Sequence, residues 1–459
     1  MKIRNTLILI VIAAGLFLYM YRVEIIGVRQ KEEAAELAKK VMPYEPDSVQ
    51  VLRVKTKESD VLCSRDDDGW KISEPVQTKG DANTIDYLLK NLSQISIERN
   101  LDEKPQGLEP YGLEAPSVAI HIEGNDFSSD TLYLGKKNPT GSFVYSKKSG
   151  DPLVFLLPQV SLSQLEKNLF DLRDKLVLGV DREAVEEFTI RAEYGPITCE
   201  KSDDEWYITE PVYDNADRGA VSRVLSSVSS GKAVEFVTEE SKNLAAYGLD
   251  EPKATVDVYT GADKKKHTVI IGDQNERKYY AKDTSRAPIF CVNNIFWESV
   301  NQDVKDFRNK KIVDFNRTEV TSLELSGGGE TIICEKDTTN KWFVIRAPSP
   351  EKVPALSNKV NQLMSTLIGM RAEEFIDGAA DNLSAYGLDN PRLEVVLKGE
   401  EGELARVFFG KEKDENTYAK NALKETVYLV KKNRVDKLTV KYDDFIEEEK
   451  KDEGGESTE

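Results

Sequence analysis

The chain has 459 residues, of which 39% are hydrophobic and 31% charged, a composition typical of a globular protein large enough for several domains. Its formal net charge of −18 repels the phosphates of nucleic acids and the headgroups of anionic lipids. The composition therefore argues against a nucleic-acid-binding protein, and we expect no nucleic-acid partner.

The first predicted element is an uncharged run at residues 6–21, with Lys2 and Arg4 before it and Arg22 after it. As a helix this run is about 24 Å long, close to the ~30 Å of a bilayer core. A cleaved signal peptide is the alternative, but the sequence after the run is a poor small-residue cleavage site. We favour an uncleaved transmembrane anchor at residues 1–22. The basic residues before it predict that the bulk of the chain lies on the extracytoplasmic side of the inner or cytoplasmic membrane.

Charged segments lie on both sides of the main body of the chain. Residues 31–41 carry Glu, Ala and Lys at helical spacing, which predicts a solvated helix, and the prolines that follow end it. We assign residues 23–47 to a helical stalk and linker. Residues 447–459 form an acidic tail with glycines, which we expect to be disordered.

The rest of the chain is a threefold repeat. The tryptophans recur at a spacing of 136 residues: Trp70, Trp206 and Trp342. The cysteines recur at nearly the same spacing: Cys63, Cys199 and Cys334. A period this long predicts complete domains in tandem instead of a solenoid. We call the copies modules 1, 2 and 3 and assign them to residues 48–182, 183–318 and 319–446.

Each module shows the same order of predicted elements. Alternating apolar residues indicate short antiparallel hairpins, followed by a helix that Asp81 caps in module 1. Four further strand-like runs precede a closing helix, whose apolar positions in module 1 are Leu162, Leu165, Leu169 and Leu172. The predicted fold class is α+β: three tandem repeats of a mainly antiparallel β-sheet module with two helices each, after an N-terminal transmembrane helix.

A Tyr-Gly-Leu phrase marks the middle of every module, and a proline follows it three residues after the leucine. Its residues are Tyr111, Gly112, Leu113, Tyr247, Gly248, Leu249, Tyr386, Gly387 and Leu388. A left-handed Gly248 just past a helical turn would let Leu249 contact Leu244, which is the Schellman helix stop. We interpret the phrase as a helix terminator with a structural role, like the tryptophans, and favour this over a binding role.

On these motifs the chain resembles the bacterial domain-of-unknown-function 4340 family. The resemblance rests on the Trp-x-[Ile/Val]-x-x-Pro opening, which is one residue longer in module 3, and on the Tyr-Gly-Leu phrase. It rests also on a glycine-ended strand about 23 residues later and on a Leu/Phe-Arg-[Asp/Asn]-Lys ending. Module 3 lacks that ending, so we expect it to serve the junction with the following module, through Arg173, Lys175, Arg308 and Lys310. The resemblance implies a membrane-anchored envelope protein, often encoded beside ABC-type transport systems, and therefore a protein partner but no assigned activity.

No catalytic, cofactor-binding or metal-binding residue is predicted. His121 and His267 occupy non-equivalent positions, and no nucleophile–base pair can be built in two modules. The acidic turn at residues 65–70 is not preserved in the other copies, which favours turn solvation over a calcium site. The four cysteines are expected to be buried free thiols, with a Cys199–Cys291 disulfide as the alternative.

The sequence therefore predicts a non-catalytic interaction or accessory component of a cell-envelope or ABC-transporter-linked assembly. The alternative is an extracytoplasmic hydrolase or carbohydrate-binding protein that uses carboxylates which the sequence does not identify. The sequence does not predict an oligomeric state.

Overall fold

The computed structural model describes residues 39–446 together with Phe17 and Tyr21. The predicted anchor, apart from those two residues, most of the predicted stalk and the predicted tail lie outside the described residues. Within the described part of the chain, no helix combines the length and the apolar character that a bilayer crossing requires.

Each module forms one nine-stranded antiparallel sheet. Module 1 has the sheet order β4-β3-β2-β1-β6-β7-β8-β9-β5, with β1 Val49–Thr56, β2 Asp60–Asp66, β3 Gly69–Glu74, β4 Thr78–Lys79, β5 Arg99–Asp102, β6 Val118–Gly124, β7 Asp130–Lys137, β8 Phe143–Lys148 and β9 Val154–Pro158.

The other two sheets repeat this order strand for strand. Module 2 has the order β13-β12-β11-β10-β15-β16-β17-β18-β14, with β10 Val185–Ala192, β11 Gly195–Ser202, β12 Glu205–Glu210, β13 Asp214–Asn215, β14 Glu235–Thr238, β15 Ala254–Thr260, β16 Lys265–Asn275, β17 Lys278–Asp283 and β18 Ile289–Asn293. Module 3 has the order β22-β21-β20-β19-β24-β25-β26-β27-β23, with β19 Ser322–Gly327, β20 Glu330–Lys336, β21 Trp342–Ala347, β22 Val353–Pro354, β23 Ala372–Ile376, β24 Leu393–Gly399, β25 Gly402–Lys413, β26 Asn416–Asn421 and β27 Val427–Lys431.

The alternating residues of the opening strands form the core, as predicted. Leu52 pairs with Cys63 and Val54 with Val61, and all four side chains are buried. Since side chains alternate between the two faces of a strand, this register places one apolar row against the helices and the polar row outside.

The first helix of each module covers that apolar face. These helices are α1 Ala82–Gln94, α4 Arg218–Ser230 and α7 Ser357–Ile368. Asp81 caps α1 by accepting a hydrogen bond from the backbone N–H of Thr84 at 3.1 Å, which confirms the predicted cap. The predicted apolar stripes are buried in the three helices: Ile85, Leu88, Leu89 and Leu92; Val221, Val224, Leu225 and Val228; Val360, Leu363, Met364 and Leu367.

The prediction of one closing helix per module is wrong, because the segment is broken in two. Modules 1 and 2 have α2 Gln159–Leu165 with α3 Leu169–Leu172, and α5 Asn294–Val300 with α6 Val304–Phe307. In module 1, Asn168 and Asp171 form a capping box that starts a new helix between the two apolar pairs.

Module 3 departs further from the predicted pair of helices. It has α8 Leu383–Tyr386, α9 Lys432–Asp436 and then a 3-10 turn at Tyr442–Phe445. The described residues thus contain three α-helices per module, one more than predicted.

The chain divides into two compact units. The first comprises Met1–Val180, Ser227–Lys253 and Thr268–Trp297, and the second comprises Asp181–Ser226, Ala254–His267 and Glu298–Glu459. The closing segment of module 1 and strand β14 of module 2 fall in the first unit. The closing segment of module 2 and strand β23 of module 3 fall in the second.

The end of the predicted stalk belongs to the core of module 1. Lys40 forms an isolated bridge with Ser96, and Val41 and Met42 are buried with the core residues of that module. The packed structure therefore begins before residue 48, where the sequence places the module boundary.

All four cysteines are free and buried, which confirms the expected state, and the alternative Cys199–Cys291 disulfide is not formed. Burial raises the pKa of the Cys63, Cys199 and Cys334 thiols to about 12 and that of Cys291 to about 11. The reactive thiolate is therefore almost absent at neutral pH.

We expect the native chain to resist alkylation by iodoacetamide and the urea-unfolded chain to take up one label on every cysteine. Mass spectrometry of the two samples measures the difference. Rapid labelling of any one of the four cysteines in the folded chain would contradict its buried position.

Candidate functional site at the module junctions

The Tyr-Gly-Leu phrase ends a helical turn in every module, as predicted. Its glycines are left-handed, with φ of 67°, 64° and 68° at Gly112, Gly248 and Gly387. In module 2 the backbone N–H of Leu249 donates to the carbonyl of Leu244 at 3.0 Å, and the N–H of Gly248 donates to Ala245 at 3.3 Å. This is the hydrogen-bond pattern of the Schellman motif.

Replacing Gly248 with valine should lower the free energy of unfolding by about 1–2 kcal/mol, because a side chain is strained in the left-handed conformation. Asparagine tolerates that conformation better, so Gly248→Asn should lose less. Urea titration of both variants measures the difference. Unchanged stability of the valine variant would contradict the assignment.

The glycine that ends the strand about 23 residues later packs against the same phrase. A Cβ added to this glycine would lie far inside van der Waals contact with the carbonyl oxygen of the phrase tyrosine. The three pairs are Gly135 with Tyr111, Gly272 with Tyr247, and Gly410 with Tyr386. The glycine of the phrase and the glycine that ends the strand both recur in the sequence, and both therefore lie at a single contact between the turn and the strand.

The phrase tyrosine also packs on a second tyrosine, which the sequence analysis missed. The ring centroids lie 5.3 Å apart for Tyr111–Tyr145, 5.0 Å for Tyr247–Tyr280 and 4.9 Å for Tyr386–Tyr418. Tilted and edge-to-face arrangements at this distance are favourable for aromatic rings. The second tyrosine is therefore a shared structural residue of all three modules.

A lysine two residues after that second tyrosine binds the carbonyls of the next turn. The three contacts are Lys147 with Asp151, Lys282 with Arg286, and Lys420 with Lys424. Burial lowers the pKa of Lys282 and Lys420. The signal for these residues is a Tyr-x-Lys triplet that recurs at a nearly constant distance from the Tyr-Gly-Leu phrase.

The three predicted tryptophans lie in separate modules: Trp70 and Trp342 in the cores of modules 1 and 3, and Trp206 half-buried in module 2. Trp70 and Trp342 are buried, and the Trp70 indole N–H donates to Asp86 at 2.9 Å. Trp206 packs against Phe188, with 5.4 Å between ring centroids. The contacts of the tryptophans are therefore packing contacts within their own modules.

Arg173 crosses from the end of module 1 to strand β14 of module 2. Its guanidinium lies 3.4 Å above the ring of Phe236 and donates to both carboxylate oxygens of Glu239, at 2.6 and 3.2 Å. Arg173 is only 2% exposed. A buried arginine between an aromatic face and a carboxylate is a strong directional contact, so this residue joins the two modules.

Arg308 makes the equivalent contact between modules 2 and 3. Its guanidinium lies 4.0 Å from the ring of Phe375 and donates to Asp377 at 2.7 Å. It also donates to Asp214 of module 2 at 2.8 Å. Burial alone would lower the pKa of Arg308, but the hydrogen bonds to Asp377 and Asp214 outweigh it and raise the pKa. The contacts of Arg173 and Arg308 with the following module thus confirm the junction role that the sequence predicts for these two residues.

The two junctions differ in one acidic residue. Strand register places Asp214 of module 2 opposite Ile208, and Thr78 of module 1 occupies the same position opposite Ile72. With threonine there, the Nε of Arg173 is buried without a hydrogen-bond partner among the described residues. The Arg308 junction therefore carries more ionic contacts than the Arg173 junction.

The side chains of the two predicted junction lysines stay on their own module. The ammonium group of Lys175 donates to the carbonyls of Phe170 and Asp171, at 2.9 and 2.8 Å, and burial lowers its pKa. The ammonium of Lys310 lies 3.5 Å from Asp306. These lysines stabilise the end of the closing segment, while their backbone carbonyls accept hydrogen bonds from Ala233 and Ala372 of the next module.

Over residues 39–446 no group of three or more His, Cys, Asp or Glu side chains is arranged to hold a metal ion. What the repeated residues form is a set of packing contacts and two arginine junctions.

The comparisons with known proteins point to one family. The sequence model described as "Domain of unknown function (DUF4340)" matches residues 70–213, 206–348 and 342–451. No curated protein matches the chain.

Among solved structures, the DNA polymerase sliding clamp from Pseudomonas aeruginosa with ligand is 8% identical, with 86% of this chain and 95% of that chain covered and a TM-score of 0.15. The DNA polymerase III subunit beta sliding clamp from Bartonella birtlesii is also 8% identical, with coverage of 86% and 95% and a TM-score of 0.14. At these scores the likeness carries no conclusion about fold or function.

Proposed function

The chain belongs to the DUF4340 family, whose domain of unknown function it carries in three tandem copies, and from this premise we propose that it is a non-catalytic interaction protein. In this proposal an N-terminal helix anchors the chain in the inner or cytoplasmic membrane. The three modules then lie on the extracytoplasmic side, where they serve a cell-envelope or ABC-transporter-linked assembly as an accessory component.

One observation carries the proposal: the residues that recur in all three modules are used in packing. The recurring glycine contacts a tyrosine carbonyl, the recurring tyrosines pack on each other, and the recurring lysine binds turn carbonyls. The residues that differ between modules are free to define partner surfaces. This use of the shared residues supports an architectural protein with a partner over an enzyme with a repeated active site.

The anchor is tested by extracting membranes with alkaline carbonate. We expect the full chain to stay in the pellet and a variant without residues 2–22 to appear in the supernatant, because the apolar run at residues 6–21 is what holds the chain. Release of both proteins alike would contradict the anchor.

The side of the membrane is tested with an impermeant maleimide on spheroplasts. The native cysteines are buried, so Tyr213→Cys, at a position that is 74% exposed, supplies the reporter thiol. Labelling without lysis is expected, whereas labelling only after lysis would place the modules in the cytoplasm.

The partner is tested by chemical crosslinking in intact membranes, followed by mass spectrometry. We expect a reproducible envelope or transporter protein with the full chain and its loss with the variant that lacks residues 2–22. Recovery of no such protein would contradict the interaction role. Hydrolysis of an envelope glycan by the purified chain would contradict the non-catalytic role and favour the hydrolase alternative.

A further inference from the structure

The two junction arginines leave their own modules from matching backbone positions. Gly80 forms an isolated antiparallel bridge with Arg173, and Ala216 forms one with Arg308. In both cases the residue after the arginine donates its backbone N–H to the last residue of the short edge strand, β4 or β13, at 2.9 Å. The two arginine side chains therefore start at the same place relative to these strands.

The two guanidinium groups differ most at the Nε atom. In Arg308 the Nε–H donates to Asp214 at 2.8 Å, while a terminal nitrogen donates to Asp377 at 2.7 Å. In Arg173 the terminal nitrogens donate to Glu239, and the Nε is buried without a hydrogen-bond partner among the described residues. Since a buried N–H without an acceptor is costly, the Arg173 junction favours the binding of one more acceptor at this atom.

Thr78 occupies the position from which an acceptor reaches the Nε in the other junction. Register places Thr78 opposite Ile72, as it places Asp214 opposite Ile208. The carboxylate oxygens of an aspartate are δ atoms, whereas a threonine side chain ends at its γ atoms and is therefore one bond shorter. Thr78 supplies a hydroxyl group that can donate a hydrogen bond, and it is only half-buried, so a ligand can reach it from solvent.

The acidic residues near this junction are held by other groups. The carboxylate of Asp81 lies 3.9 Å from the ammonium groups of both Lys175 and Lys232. Asp171 and Asp174 accept hydrogen bonds, at 3.0 and 2.9 Å, from backbone N–H groups of the closing segment and of the residues that follow it. None of these three carboxylates is therefore available to the unpartnered Nε.

We propose that the junction between modules 1 and 2 binds a carboxylate group beside Thr78, in the place that the carboxylate of Asp214 takes in the next junction. The Nε–H of Arg173 and the hydroxyl of Thr78 donate to its oxygens, and the bond from the guanidinium is charge-assisted. The ligand is the anion of a small carboxylic acid or the acidic side chain of another protein, since both present the same group. The chain thus supplies the acceptor itself at one junction and binds it from outside at the other.

Formate is the probe for this site, because it is a carboxylate without a side group. A ligand that binds only the folded protein raises its melting temperature, so we expect a saturable rise of about 2 °C in the full chain by differential scanning calorimetry. The matched control is Thr78→Asp, which carries its own carboxylate at this position. It should melt higher than the unchanged chain without formate and show no saturable rise with it. Saturation-transfer NMR on the formate proton should give a signal with the unchanged chain that Thr78→Asp loses.

Two further variants test the same site from other directions. Asp214→Thr removes the internal acceptor of the Arg308 junction and should add a second saturable response to formate. Thr78→Val keeps the shape of threonine without its hydroxyl and should bind formate about fivefold more weakly. The resistance of the four buried cysteines to alkylation reports that each variant is folded.

The source of the carboxylate is distinguished by competition with N-acetyl-aspartic acid amide, which presents an aspartate side chain. Displacement of formate by this compound would assign the site to an acidic side chain of another protein, and formate binding without displacement would assign it to a free small acid. The same response to formate from the unchanged chain and from Thr78→Asp would overturn the proposal, because the anion would then act elsewhere on the chain. The absence of any saturable response to formate would overturn it as well.

Discussion

Replacing Arg308 with alanine is expected to lower the free energy of unfolding by about 3–5 kcal/mol, the usual cost of removing one partner from a buried ion pair. Arg308 is 2% exposed, and Asp214, its partner within module 2, is almost equally buried. The alanine variant would leave that carboxylate with Lys424, 3.7 Å away, as its remaining countercharge, and Phe375 without the cation above its ring. Urea titration of the full chain, followed by tryptophan fluorescence, measures the loss.

Two other arginines serve as controls for this result. Arg346 also lies over an aromatic ring and pairs with a carboxylate, but its side chain is half exposed, so Arg346→Ala should cost at most about 1 kcal/mol. Arg173→Ala should fall between the two, because its partner Glu239 is partly exposed and can be solvated when the arginine is removed. A loss at Arg308 no larger than that at Arg346 would contradict the junction role.

Replacing Gly272 with alanine is the second large effect that we expect, about 3 kcal/mol, at the upper end of the cost of overpacking. The added methyl group would meet the carbonyl oxygen of Tyr247, which is backbone and cannot rotate away. The turn of the Tyr-Gly-Leu phrase would have to separate from strand β16, and the ring contact between Tyr247 and Tyr280 would be disturbed with it.

The control for this substitution is Gly107→Ala. A Cβ at Gly107 has no neighbour within 4 Å, and its φ is not in the left-handed region, so alanine there should be neutral or slightly stabilising. Differential scanning calorimetry of both variants gives the comparison. Equal melting temperatures for Gly272→Ala and Gly107→Ala would contradict the turn–strand contact.

The sequence predicts much of the fold because its signals are local. Alternation at Leu52 and Val54 indicates the strands, Asp81 indicates the start of α1, and the position of Gly248 indicates a left-handed helix stop. Each of these features is decided by neighbours within a few residues.

The features that were missed depend on contacts across the fold or on a competing local signal. The polar strands β4 and β5 are held by their sheet neighbours and not by an apolar pattern. The apolar spacing from Leu162 to Leu172 suggests one continuous helix. The helix is nevertheless interrupted, because Asn168 caps a new helix that begins at Leu169. Glu239 is distant from Arg173 in sequence, so the arginine could be singled out while its acceptor could not.

The Tyr-x-Lys triplets, in contrast, could have been found from the sequence. Tyr280 and Lys282 stand at the same place in their module as Tyr145 and Lys147, and alignment of the repeats reveals the match. Only the contacts of these residues, a ring pair and a bound turn carbonyl, required the structure.

A double-mutant cycle on Arg308 of module 2 and Asp377 of module 3 tests most directly whether an arginine stabilises the contact between successive modules. Arg308→Ala, Asp377→Ala and the double variant are compared with the unchanged chain by urea unfolding. We predict a coupling free energy of about 1–2 kcal/mol, since the buried Arg308 guanidinium donates charge-assisted hydrogen bonds to Asp377, whose side chain is about half exposed. Losses that simply add, with no coupling, would contradict the claim.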